Sequence, residues 1–279
     1  MIEITDLTFR YRESEEPTVH DINLRIPSGT FVGITGPAGS GKSTLTYLMN
    51  GIAPHCYPGD FYGSVLVEGL DTCEVSLTDI SALVGSVCQD IDSQMVTGNV
   101  EDEILFGLEN FAVPKEEVEA RLAEALSDVG ILDLRDRAIA GLSGGQKQKV
   151  AIASVIALKP KILVLDEPTA ELDPASSVGV FEMLRRYARE HGTTVIVVEQ
   201  KIALLSDYAD TLIVMRDGRI ALQGSPEEVL AKSDELQRIG VACPRSTSLY
   251  LALSRAGFYG GPVCRNVDEA VAMCKEVYA

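Results

Sequence analysis

The chain of 279 residues predicts an α/β fold. We expect a mixed, mostly parallel sheet core covered by helices on both faces, with an inserted helical subdomain and a small C-terminal extension. Three observations predict it. Short apolar runs such as Phe31–Thr35, Lys161–Leu165 and Thr193–Val198 read as strands buried on both faces. Helical segments alternate with these runs, the order in which crossovers join parallel strands. A glycine-rich loop connects Phe31–Thr35 directly to a helix, which makes a strand–loop–helix unit.

Residues 1 to about 35 read as strands with turns, from the alternation that begins at Met1-Ile2-Glu3-Ile4. Ser43 to Asn50 reads as a helix ended by Gly51 and Pro54. Residues 60 to 90 alternate strand-like segments with turns and end in the apolar run Leu83–Cys88. From Val100 to Leu134 the spacing is helical and the charge high, with Val118, Leu122, Ala125, Leu126 and Val129 on one apolar stripe. That stripe reads as core packing. Helices are expected from Gly145 to Leu158 and from about Ala175 to His191, and strands at Thr211–Met215 and Arg219–Gln223 complete the core. The helix-rich stretch from Gln89 to Ala157 interrupts the alternation and so reads as the inserted subdomain, about residues 90–157. The expected division is residues 1–239 as one domain and 240–279, with Gly257, Gly260, Gly261 and Pro262, as the small extension.

Composition narrows the class. A hydrophobic fraction of 46% suits a globular protein with a sizeable core. A formal net charge of −17 argues against nucleic acid as the main partner, because binding a phosphate backbone needs clustered Lys and Arg. No apolar run is long enough to span a bilayer, and the N-terminus lacks the basic and apolar regions of a signal peptide. The six cysteines form no CxxC pair and read as reduced thiols. A cytoplasmic protein that can dock on a membrane complex follows.

The loop Gly36-Pro37-Ala38-Gly39-Ser40-Gly41-Lys42-Ser43-Thr44 fits the phosphate-loop pattern in full. Its glycines let backbone N–H groups wrap closely around phosphates, and the helix that follows adds its positive N-terminal end. Lys42 supplies a point charge for the β- and γ-phosphates, and the Ser43 hydroxyl can ligate Mg²⁺. ATP and Mg²⁺ are therefore the expected ligands. Asp166 ends an apolar strand, where its carboxylate can reach the metal, and Glu167 follows as candidate to polarise an attacking water. Ser143-Gly144-Gly145-Gln146 reads as a cap and turn that opens a helix.

These motifs, in this order, resemble the ATP-binding cassette (ABC) family over about residues 1 to 235. The resemblance implies that Ser143-Gly144-Gly145 contacts the γ-phosphate held by a partner chain. It also implies that Tyr11 stacks on adenine, that Gln89 reaches the metal and the attacking water, and that Asp173 lies in a loop crossing the dimer interface. The runs Gln89–Gln94 and Val100–Asn110 look like the ATPase subunits of energy-coupling-factor transporters, which import vitamins or transition-metal ions. The tail with Pro244 and Asn266–Ala270 loosely resembles that subfamily's C-terminal piece, which helps two ATPases stay together. The implied partners are a second ABC ATPase subunit, identical or paralogous, a transmembrane coupling protein and a separate membrane substrate-binding protein. The implied location is the cytoplasmic face of the cell membrane.

One position departs from the family. After Val195–Val198 the family places a histidine that contacts the γ-phosphate, and here Gln200 stands in Glu199-Gln200-Lys201. Glutamine can donate a hydrogen bond but carries no charge. Losing one charge-assisted contact to the developing phosphate charge costs about 2.7–4 kcal/mol, or ~10²–10³-fold in rate. A slow site on this chain's own phosphate loop, serving a faster partner site through its intact signature, is one expectation; that Gln200 suffices is the other. The rival readings are a soluble ABC ATPase of repair or translation and a non-hydrolysing regulatory cassette. The interval from Ser43 to Ser143 is too short for a repair-type coiled coil, and retention of Glu167 counts against the regulatory module.

Overall fold

The computed structural model describes residues 1–278. Ten strands form two sheets: β1 (Ile2–Tyr11), β2 (Val19–Ile26), β3 (Phe31–Thr35), β4 (Gly59–Val67), β5 (Leu70–Asp71), β6 (Val84–Val87), β7 (Ile162–Asp166), β8 (Thr194–Val198), β9 (Thr211–Arg216) and β10 (Arg219–Gly224). The smaller sheet is antiparallel, in the order β2-β1-β4-β5. The larger runs β10-β9-β3-β8-β7-β6 and is parallel except for β10, which turns back on β9 at the edge.

Strand period explains the two layers around the larger sheet. Val32 and Ile34 of β3, with Ile196 and Val198 of β8, face the smaller sheet and the Lys42–Met49 helix, burying Leu45, Leu48 and Met49. Phe31, Val195, Val197, Leu163 and Leu165 face the other way, onto the helices Gly144–Ile156 and Pro174–His191. Each large apolar side chain so buried contributes roughly 1.5–3 kcal/mol. This double covering is why the strands read as unbroken apolar runs rather than as alternation.

The helical stretch expected from Val100 to Leu134 is divided. Helices Val100–Asn110 and Lys115–Asp128 are separated at Phe111–Pro114, and a short 3₁₀ turn spans Leu132–Leu134. Pro114 stands at the cap of the second helix, where a ring without an N–H costs nothing and the preceding residue is barred from helix. Leu122, Ala125 and Leu126 of the stripe are buried. Arg135 bonds Glu101 on one helix and Glu119 on the other. Several short helices went unread in the sequence, among them Leu77–Ser81, although Ser76 and Asp79 form a full capping box there. Beyond Gly240, helices Arg245–Arg255 and Val267–Val277 close over Cys264, Ala270 and Met273. Among the described residues no helix is long and apolar enough to cross a membrane.

Candidate nucleotide site

Parallel order places the C-terminal ends of β3, β8, β7 and β6 side by side, the edge where open α/β sheets bind ligands. The Gly36–Thr44 loop leaves β3, Glu199 and Gln200 follow β8, Asp166 ends β7 with Glu167 next, and Gln89 follows β6. Asp166 is in register with Val198, so the two tips meet directly.

The loop is shaped by close approach. Gly36 has φ +147°, and a Cβ there would lie 2.2 Å from the Met215 carbonyl oxygen. Gly41, at φ +94°, caps the Lys42–Met49 helix; a Cβ would press on the Thr18 carbonyl at 2.8 Å. Lys42 Nζ donates to the loop's own carbonyls, Gly36 at 2.9 Å and Pro37 at 2.8 Å. Burial lowers its pKa, while Glu167 and Asp166 pull the other way. Ser40 Oγ is buried and has no partner. A buried hydroxyl without a partner is costly, and a phosphate oxygen is the acceptor this loop geometry invites. The residues present therefore fit a nucleotide phosphate.

Ser43 and Asp166 line the same cavity; the pKa of Asp166 is raised, first by burial and also by Glu167, while Ser43 pulls the other way. Two hard oxygen donors on one cavity wall suit Mg²⁺. Gln89 Nε2 donates to Glu167 Oε2 at 3.1 Å, and Gln200 Nε2 to Glu167 Oε1 at 2.8 Å. One carboxylate is thus held at both oxygens by two neutral amides, and the Gln89 amide oxygen has no partner among the described residues. Glu167 itself has φ +48°, rare for a residue with a side chain; its N–H donates to the Val198 carbonyl at 2.9 Å. A cavity of about 540 Å³ opens beside this cluster, lined by Ser43, Tyr47, Tyr57, Gln89 and Asp166 among others. Tyr11 lies against the phosphate-loop helix, its hydroxyl 3.1 Å from Thr44 Oγ1 and its ring edge-on to Tyr57.

Ser143–Gln146 and Asp173 lie apart from this cluster. Ser143 caps the Gly144–Ile156 helix in a box with Gln146, accepting the Gln146 N–H at Oγ. That leaves its hydroxyl proton to donate, and the helix N-terminus behind it favours an anion. Ser143, Gly145 and Gln146 line a separate cavity of about 480 Å³ that no phosphate-loop residue touches. Asp173 caps the Pro174–His191 helix, accepting from the Ala175 and Ser176 N–H groups, and the Ser176 contacts hold its pKa down.

Sequence reasoning missed Glu199, Thr169 and Lys201. Glu199 is only 2% exposed. It accepts the Thr169 hydroxyl and the backbone N–H groups of Gln200 (2.8 Å) and Lys201 (3.2 Å). A carboxylate directly after the buried run Val195–Val198 was the available signal.

The family description "ABC transporter" matches residues 19–170. A Pyrococcus horikoshii protein assigned as an ABC transporter ATP-binding protein is 41% identical over 278 residues, covering 100% of this chain and 98% of that one. The chain belongs to the ABC transporter family. It is an ABC transporter ATP-binding subunit, and its activity is ATP hydrolysis. A relative assigned the same way in Pyrococcus abyssi is 41% identical over 257 residues, 92% of each chain. Among solved structures, CbiO1 of Clostridium perfringens, described as part of the ABC transporter complex CbiONQ, has 33% identity and a TM-score of 0.76 over 88% of this chain and 96% of that one. A dimeric post-hydrolysis state of the cassette MJ0796 with ADP and Pi has 26% identity and a TM-score of 0.70 over 81% of this chain and 99% of that one.

Proposed function

We propose that this chain is the ATPase subunit of an energy-coupling-factor type importer for vitamins or transition-metal ions. Residues 1–239 act as the ATP-binding domain, with the helical subdomain at about 90–157, and 240–279 serve as an extension that helps hold two ATPases together. The exposed Leu249 and Val271 on its two helices give that extension an apolar surface to cover. The observation that carries the catalytic reading is the pair of amides from Gln89 and Gln200 on the Glu167 carboxylate, directly after Asp166 at the end of β7.

In this reading ATP lies along the Gly36–Thr44 loop, with adenine stacked on Tyr11, the phosphates in the loop N–H groups and Lys42 on the β- and γ-phosphates. Mg²⁺, when bound, neutralises charge on the transferring phosphoryl group, and Ser43, Asp166 and Gln89 would hold it. Glu167 orients water for in-line attack. Ser143 of a second ATPase subunit donates to the γ-phosphate, so each site is built from two chains and phosphate loss lets the dimer open. Asp173 lies at that interface. ATP acts by binding the closed state better than the open one. Gln200, neutral where the family has histidine, slows hydrolysis at this chain's own site.

A transmembrane coupling protein receives the motion, and a separate membrane protein binds the substrate, which places this chain peripherally on the cytoplasmic face. An open groove of about 930 Å³ lined by Leu77, Leu83, Asn110 and Phe111 supports this reading by offering an apolar seat for a coupling helix. Affinity purification of the chain from its native membranes, with the co-purifying proteins identified by mass spectrometry, tests the proposal. A second cassette ATPase together with a polytopic membrane protein is expected. Ribosomal or repair proteins without a membrane partner would overturn it.

A further inference from the structure

The turn that carries Gln200 is bonded on its other side to the chain segment that runs from Glu167 to Asp173. Lys201 Nζ donates to the Thr169 carbonyl at 2.7 Å, the Thr169 hydroxyl at 3.3 Å and Ser177 Oγ at 3.3 Å. All three ammonium donors are thereby used. Ser177 Oγ donates in turn to the Asp173 carbonyl at 3.0 Å, and the Ser177 N–H does so at 2.9 Å. Thr169, 0% exposed, gives its hydroxyl proton to the buried Glu199, which also holds the Gln200 N–H. A continuous hydrogen-bonded path therefore runs from the helix cap at Asp173, through Ser177, Lys201, Thr169 and Glu199, to the backbone of Gln200.

We propose that Lys201 is a positioning residue for ATP hydrolysis, tying the Asp173 loop to the turn that aims the Gln200 amide at Glu167. Every member of the path is satisfied by another member, and a fully satisfied buried polar network is rigid and specific. Glu199 is a buried carboxylate that cannot move cheaply without its three donors. Lys201 is the one link that touches both the Thr169 turn and the helix begun by Asp173. A displacement of Asp173 by a partner chain is thus transmitted to Gln200 as a shift of the whole turn. A misplacement of about 1 Å in a catalytic group can cost about a hundredfold in rate. The inference rests on the proposed role of Gln200 at Glu167.

Steady-state ATP hydrolysis by the full chain and by Lys201→Met, Gln200→Ala and the double variant tests it. Gln200→Ala lowers kcat about a hundredfold. Lys201→Met lowers kcat about tenfold to a hundredfold with KM within about twofold of the parent, because only the aim of a transition-state contact changes. The double variant is no slower than Gln200→Ala alone, since Lys201 acts through Gln200. Lys201→Met with unchanged kcat, beside a slow Gln200→Ala, overturns this inference and leaves the role of Gln200 standing. A double variant slowed by the product of the two single effects overturns it as well. An unchanged rate in Gln200→Ala overturns the role of Gln200 and this inference with it. Should Lys201→Met fail to fold, Thr169→Val against Thr169→Ser interrogates the same path. A slow Val variant with a fast Ser variant is then expected, and equal rates in the two overturn the proposal.

Discussion

Replacing Gln200 with histidine isolates what a neutral group does at this position. Gln200 Nε2 lies 2.8 Å from Glu167 Oε1, so the site already has a donor in place. The relevant loss relative to a histidine is then the charge on the donor rather than the whole contact. The amide already bonds a charged acceptor, so a protonated imidazole adds only its own charge, worth about 1–1.5 kcal/mol near the solvated limit. That added charge is about tenfold in rate, smaller than the ~10²–10³ expected if no donor were present. Gln200→His is expected to raise kcat about tenfold where the imidazole is protonated, below about pH 6.5 in the absence of other influences. The neighbouring Glu167 carboxylate favours the protonated ring and extends the gain to higher pH. Above that range the ring is neutral and the gain disappears. The parent enzyme has no titrating group at this position and should show no matching break. The assay is the rate of phosphate release against pH for parent and variant at saturating ATP. An unchanged rate at every pH would show that a neutral donor suffices. An equal gain across the whole range would show that charge is not the cause.

Three further perturbations follow from named contacts. Folding raises the pKa of Asp166 through burial, so its ionised form is disfavoured in the native state. That penalty is present above the ordinary aspartate range and is relieved as pH falls through the raised value. Asp166→Asn should therefore raise the Tm of the nucleotide-free chain at neutral pH while abolishing Mg²⁺-dependent hydrolysis; a lowered Tm would contradict the burial argument. Tyr11→Ala should raise KM for ATP by about fivefold to a hundredfold, the equivalent of about 1–3 kcal/mol of base stacking, whereas Tyr11→Phe, which loses only the bond to Thr44, should stay close to the parent. Equal effects from the two would place the contribution in the hydroxyl. In Gly85→Ala the new Cβ meets Val155 Cγ1 at 2.3 Å and Pro160 Cγ at 3.0 Å, an overpacking cost of about 1–3 kcal/mol. A fall in Tm of several degrees is expected by calorimetry, and an unchanged Tm would show that β6 yields to the side chain.

The fold class was legible because its strands are buried on both faces and so stand out as apolar runs. The division of Val100–Leu134 was legible in principle too, since Pro114 cannot continue a helix. The contiguous motifs announced themselves through residue type and spacing. Their mutual placement did not. Glu167 and Gln200 meet because β7 and β8 pair in register, and no local period encodes which strands become neighbours. Thr169 and Lys201 were invisible for the same reason, and Glu199 showed only as a carboxylate after a buried run; the strand pairing alone turns the three into one network.

Lys42 and Glu167 are held in unequal ways. Lys42 rests on two neutral carbonyls, and exchanging these for phosphate oxygens replaces neutral acceptors with charged ones, so that step is favourable from the outset. Glu167 accepts from two amides that are already charge-assisted bonds. Freeing it to face a water gains nothing unless the amides find an anion of their own. On the proposed reading the γ-phosphate is that anion for Gln200, and Gln89 would turn to help hold Mg²⁺ with Ser43 and Asp166. Binding of ATP can then precede release of Glu167, and the two need not be coupled tightly. The order makes hydrolysis wait on the turn at Glu199–Lys201, whose other attachment is the helix capped by Asp173. A partner pressing on that loop would thus act on the slow step of catalysis, while nucleotide affinity stayed with the phosphate loop.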